Sequence, residues 1–232
     1  MASMRKFTDG ELRAVWTVLS RGRPVDLRNQ TMFALGCACR WRISEMLSLR
    51  WQGVMEKDEE AVRDRIHIEA RLTKTKRSSD FYPTPGVKAA LLEWHGAATR
   101  IGRGRPGDWV FPNLGRGNGR GLGVGAMSRQ AAWAMVKRVC RAAGIGTERR
   151  GTHSFKKTAV GNFYLERLER LRAGESVDPL RDTQRFSGHR HLASLEHYLP
   201  EIHGDKVAEG CKVAGTVVDG LMGVNSGPEG EA

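Results

Sequence analysis

The sequence contains no run of about 18 apolar residues, the length a helix needs to cross a bilayer. No charged-then-apolar leader opens it. Neither a membrane span nor secretion is expected, and the expected compartment is the cytoplasm. Cysteine is scarce: Cys37, Cys39, Cys140 and Cys211 are the only four. Cys37 and Cys39 lie in one apolar helical run and Cys140 in another, so they read as reduced, buried thiols. A zinc site on Cys37-x-Cys39 lacks a second pair at ligand spacing, and no metal is expected. No constellation of three or more closely placed carboxylates suits a pair of metal ions, which disfavours a two-metal nuclease. The acidic run Glu56-Lys57-Asp58-Glu59-Glu60 reads as a solvated loop. There is no Gly-Lys-Ser/Thr phosphate loop and no internal repeat. Tyrosine occurs only three times, at Tyr82, Tyr164 and Tyr198.

Positive charge is what the chain has in excess. Lys and Arg number 38 against 26 Asp and Glu, a net charge of +12. A protein this basic faces a polyanion, and nucleic acid is the first candidate. An anionic membrane surface is disfavoured because no long basic amphipathic helix stands out. With 232 residues, 40% of them hydrophobic, the chain suffices for one sizeable domain, or for one with a small appendage.

Periodicity places the elements. Thr8-Asp9-Gly10-Glu11 is a capping box, and Leu12, Val15, Trp16 and Leu19 follow at helical spacing, predicting a helix over 9–20. A second helix is expected over 25–39, burying Met32, Phe33, Leu35 and Gly36, and a short one over 44–49. The period then changes. Residues 65–72 alternate as a strand, the polar and basic stretch 73–79 is a hairpin connection, and 80–83 return. Helices are expected from Pro85, with Val87, Ala90, Leu91 and Trp94 inward; from Ser128 to about Ala143, closed by Gly144; from Thr152 or Ser154 to about Arg172; and from Asp178 to Gly188. Trp109-Val110-Phe111-Pro112 is a short buried piece. The stretch 113–125, with glycine at nearly every second position, either lies against phosphates or has no fixed structure. The fold class is mainly α with a small antiparallel β-sheet.

Metal-free cleavage of a phosphodiester needs a nucleophile, cations on the non-bridging oxygens and an acid for the leaving oxygen. The chain supplies these in separated blocks: Arg40-Trp41-Arg42-Ile43-Ser44-Glu45, the basic hairpin with Lys74 and Lys76, His153-Ser154-Phe155-Lys156-Lys157, and Ser187-Gly188-His189 followed by Tyr198. A guanidinium at a helix start can make two parallel bonds to one phosphate. His153 and Lys156, three apart, share a face at a helix N-terminus, whose partial positive charge favours a phosphate. Tyr198 ends a predicted helix over 192–199. Tyr82 and Tyr164 read as core, and His191, His197 and His203 as surface or packing residues.

Order and spacing of these blocks resemble the tyrosine recombinases, the phage-integrase family. Arg42-Ile43-Ser44-Glu45 is similar to the family's first arginine block, His153-Ser154-Phe155-Lys156 to its His-x-x-Arg block, and Gly188-His189 with Tyr198 to its Gly-His and nucleophile block. One position departs: Lys156 stands where the family has its second arginine, a point charge in place of a planar fork. The sequence does not say whether that lysine is natural or engineered.

The resemblance implies the tyrosine recombinase catalytic-domain fold over 1–202, a C-terminal helix over 203–222 that docks on a neighbouring protomer, and a disordered tail over 223–232. The family's N-terminal DNA-binding domain is not expected in the roughly forty residues before Arg42. Implied too are a site of Arg42, Lys74, His153, Lys156, His189 and Tyr198, with Glu45 orienting the groups from behind. Lys74 is favoured over Lys76 as the hairpin lysine, since the choice depends on the turn register. The implied activity is site-specific recombination or integration through a 3′-phosphotyrosyl link, with no cofactor. Implied partners are double-stranded DNA recombination sites, further copies of the chain up to a tetramer, and accessory DNA-binding proteins; the setting is a mobile element at the nucleoid. Two alternatives stand beside it: relaxation of DNA in the manner of type IB topoisomerases, and a DNA-binding regulator whose chemistry is impaired by Lys156.

Overall fold

The computed structural model describes residues 4–73, 76–114 and 125–195. It divides the chain into two units, Met1–Gly188 and His189–Ala232. The first unit holds helices α1 (Asp9–Leu19), α2 (Pro24–Ala38), α3 (Ile43–Met46), α4 (Pro85–Arg100), α5 (Arg129–Ala142), α6 (Thr152–Arg172) and α7 (Pro179–Ser187), with strands β1 (Ile66–Ile68) and β2 (Ser79–Phe81). In the second unit the described residues form a short 3₁₀ turn, Leu192–Leu195, with the Ser194 amide donating to the His191 carbonyl at 3.1 Å. Among the described residues no helix is long and apolar enough to cross a membrane. The expectations for 203–222 and 223–232, and most of the glycine-rich stretch, fall outside the described residues.

Local chemistry sets the helix ends. The Thr8 hydroxyl accepts from the Glu11 amide and the Glu11 carboxylate accepts from the Thr8 amide at 2.9 Å, the reciprocal cap read from the sequence. Ser128 and Asp178 cap α5 and α7 through their side chains. The α6 cap differs from expectation. Gly151 holds the cap position, and Ser154, already inside the helix, accepts the Gly151 amide on its hydroxyl. At the other end of α7, Gly188 has φ +70, the left-handed turn that glycine enters without steric cost.

α2 is the central helix and is buried nearly all round from Asp26 to Phe33, so its sequence shows no clear apolar stripe. It packs on α4 and α6. Phe7, Phe33 and Phe155 meet with ring centroids 4.9–6.2 Å apart. Gly36 allows this approach: a Cβ there would lie 2.7 Å from Phe155 Cγ. The close crossing of α2 on α6 sets the α6 N-terminus beside the segment that leads into α3.

The strand pair is smaller than the alternation predicts. β1 and β2 pair antiparallel in the register Ile66–Phe81, His67–Asp80, Ile68–Ser79. Residues Ala70–Leu72 then turn as 3₁₀. Leu72, in that turn, is exposed. Tyr82 is likewise not core: it is 66% exposed. Phe81 takes the inward direction, edge-on to Trp41 at 5.4 Å, so its neighbour faces out. Trp16 also lies outward, while Val15 and Leu19 carry the buried face of α1. Tyr164 is buried as expected.

Candidate active site

Arg42 is the residue before α3, in extended conformation, and Glu45 lies three residues on. Glu45 is buried, and its Oε2 accepts the Arg42 backbone amide at 2.8 Å. Oε1 stands 3.4 Å from Arg42 Nη1, a long contact. The carboxylate therefore acts first as a helix cap and only loosely as an ion-pair partner. Among the described residues it is the one partner of the Arg42 guanidinium, whose side chain is 37% exposed. A half-open fork anchored at its base is suited to binding an oxyanion.

His153 and Lys156 come from the first turns of α6 and share one face. His153 keeps an exposed edge, yet its pKa is lowered, first by burial of part of the ring and then by the positive charges of Arg42, Lys156 and Lys157. The shift favours the neutral imidazole, the form that can accept a proton. Lys156 is 7% exposed. Burial, followed by repulsion from Arg42, lowers its pKa to about 8, and Glu45 opposes the shift. Its Nζ donates to the carbonyl of Ser187 at 3.2 Å, in the last turn of α7. Arg42, His153 and Lys156 are therefore brought together.

The other expected residues stand elsewhere. Lys74 and Tyr198 lie outside the described residues, and His189 opens the second unit. Lys76 lies in a bend with φ +55, beyond the end of β1 at Ile68 and before β2. Arg40, the rival of Arg42 on charge alone, is engaged structurally. Its Nη1 donates to the carbonyls of Phe186 at 2.9 Å and Arg185 at 3.2 Å, and its Nη2 to Ser79 Oγ at 3.0 Å. No pattern in the sequence signals these bonds, since their partners are backbone carbonyls and a serine far along the chain.

The three described thiols are buried or partly buried. Burial raises all three described cysteine pKa values, Cys39 to about 12 and Cys140 to about 11, and keeps them protonated. Among the described residues no group of three or more His, Cys, Asp or Glu is arranged to hold a metal ion.

Residues 5–202 match the phage integrase family. No curated protein matches the chain in sequence. Solved structures with the same fold include the XerH site-specific recombinase bound to a palindromic difH substrate in a post-cleavage complex. It has TM-score 0.60 and 16% identity, and the match covers 91% of this chain and 54% of that one. The XerA recombinase has TM-score 0.56 and 16% identity over 85% of this chain and 60% of its own. The Tn1549 transposon integrase in complex with transposon right end DNA has TM-score 0.51 and 11% identity over 92% of this chain and 67% of its own. The chain thus spans little more than half the length of the Xer proteins it matches.

Proposed function

Because the chain belongs to the phage integrase family, whose solved neighbours here are tyrosine recombinases, we propose that it is a site-specific DNA recombinase or integrase. Tyr198 attacks the scissile phosphate, its oxygen forms the new bond to phosphorus, and the bond to the 5′ oxygen breaks. The product is a 3′-phosphotyrosyl link and a free 5′ hydroxyl. A 5′ hydroxyl from a partner strand reverses the step, so the bond energy is retained and no cofactor is needed.

The observation that carries the reading is the convergence of Arg42, His153 and Lys156, with Glu45 as the carboxylate acting on Lys156. The half-open Arg42 guanidinium beside Lys156 offers positive charge to a bound anion. Arg42 and Lys156 hold the non-bridging oxygens, where negative charge builds up in the transition state. His153, in its favoured neutral form, shares proton transfer. Lys74 from the hairpin protonates the leaving 5′ oxygen, and His189 adds a donor to the phosphate. The XerH and Tn1549 neighbours hold DNA, and the +12 charge of this chain suits the same partner. Several copies, up to four, assemble on paired sites, with residues 203–222 of one docking on the next.

The test is a suicide DNA substrate, nicked so that the leaving fragment diffuses away. The protein becomes covalently linked to DNA, while Tyr198→Phe binds the same DNA and forms no adduct. An adduct that persists in the variant and maps to Tyr82 or Tyr164 would overturn the assignment.

A further inference from the structure

Arg40 links two elements that are far apart in the chain. Its Nη1 reaches the Arg185 and Phe186 carbonyls, in the last turn of α7. Its Nε and Nη2 both donate to Ser79 Oγ, at 3.3 and 3.0 Å, at the first residue of β2. The Trp41 indole N–H donates to the same oxygen at 2.9 Å. The carbonyls at a helix C-terminus lack partners within the helix and carry partial negative charge, so a guanidinium there is favoured twice. The adjoining carbonyl, that of Ser187, is held by Lys156. Three successive carbonyls at the end of α7 are therefore fixed by two cations from different elements. The fork geometry of arginine is what permits this: one ammonium cannot span a serine hydroxyl and two carbonyls at once.

We infer that Arg40 is a positioning residue, which fixes the start of β2 to the last turn of α7 and so keeps the hairpin and the α7 end in one geometry around Arg42, His153 and Lys156. Its consequence for catalysis rests on the function proposed above. Arg40 touches no reacting atom. It acts through Ser79, which leads out of the basic hairpin, and through the carbonyls beside the one that Lys156 holds.

Two variants and their combination test this: Arg40→Lys, which keeps the charge, Ser79→Ala, and both together. Single-turnover adduct formation at saturating DNA is expected to fall about tenfold for Arg40→Lys, because small misplacements of catalytic groups cost rate. The DNA concentration for half-saturation stays unchanged. The double variant falls no further than Arg40→Lys alone, since both changes break one link. Amide hydrogen exchange supplies a readout without DNA. It should quicken in Arg40→Lys both at Ser79–Phe81 and in the last turn of α7, and remain as in the parent along α1. Exchange unchanged at either end, rate losses that multiply, or weakened DNA binding with an unchanged rate would each overturn the assignment. If the parent protein forms no Tyr198 adduct, the functional reading falls, and the exchange result still decides whether Arg40 makes the link.

Discussion

Two regions of the first unit bury a cation, and they differ in the charges gathered around it. In α2, Arg28 is 5% exposed. Its Nη1 donates to the Pro112 carbonyl at 2.9 Å and its Nη2 to Asn29 Oδ1 at 2.8 Å. Burial, then the charge of Arg138, lowers its pKa to about 10. At the start of α6, Lys156 is about equally buried, with Arg42 and Arg40 repelling its charge and the carboxylate of Glu45 favouring it. The first region gives its cation neutral oxygen acceptors and one like-charged neighbour, Arg138. The second also supplies a neutral carbonyl, that of Ser187, but sets two arginines and one carboxylate around its cation. On the proposed function, an arriving phosphate would relieve the repulsion at Lys156, and nothing comparable is proposed for Arg28.

The contrast is broken or sharpened most strongly by removing one cation from each region. Arg42→Ala should lower the adduct-formation rate by about 10²–10³-fold, the usual cost of losing a donor to a developing oxyanion, with little change in melting temperature. Arg28→Ala should destabilise the fold by about 3 kcal/mol, because its buried partners lose their donor, and leave the rate per folded molecule unchanged. Urea unfolding and single-turnover assays on both variants decide the matter. A rate loss without destabilisation in Arg28→Ala would erase the distinction.

Next in size is Lys156→Arg. A charge-assisted hydrogen bond contributes about 1.5–3 kcal/mol, and about 1.4 kcal/mol is tenfold in rate. If the extra bond forms mainly in the transition state, adduct formation should rise by about ten- to a hundredfold with DNA binding nearly unchanged. An unchanged or slower rate would mean that Lys156 serves the Ser187 carbonyl and not the phosphate.

Acidity gives a third handle. The Lys156 pKa is about 8 in the folded chain against an ordinary 10.5. Between those values the unfolded chain binds a proton that the folded chain does not. The stability of the parent relative to Lys156→Met should therefore rise as pH goes from about 8 to 10.5, and the difference should be flat below 8. Paired urea titrations at pH 7 and pH 10 test the sign. A relative stability that falls across this window would show that Lys156 is held charged.

The smallest effect is on salt dependence. Binding should weaken by about 0.9 log units per log unit of salt for each phosphate neutralised. Arg42→Ala should reduce that slope by about one contact, and Arg28→Ala should leave it alone. Fluorescence anisotropy across a salt series measures both slopes, and equal slopes in the two variants would remove Arg42 from the phosphate.

What the sequence determined by itself is local. The Thr8 capping box, the Asp178 and Ser128 caps, the Gly188 stop and most of the apolar face of α4 are decided by residues within a few positions of one another, and the structure places them where the sequence does. The order of the basic blocks also carried the family, and with it Arg42, His153 and Lys156 as residues that belong together. Tertiary structure decided the rest. Alternation over 65–72 promised a long strand, but the pairing stops at Ile68 and the chain turns as 3₁₀ over Ala70–Leu72. Tyr82 beside a proline reads as core, yet it faces solvent while Phe81 packs on Trp41. Arg40 and Arg42 are indistinguishable by charge and two residues apart, yet one is held by the end of α7 and Ser79 while the other stays half-open. Local sequence encodes which conformations a segment prefers. Which cation is engaged by a helix end and which is left for a ligand depends on carbonyls brought near from more than a hundred residues away, and only packing selects those.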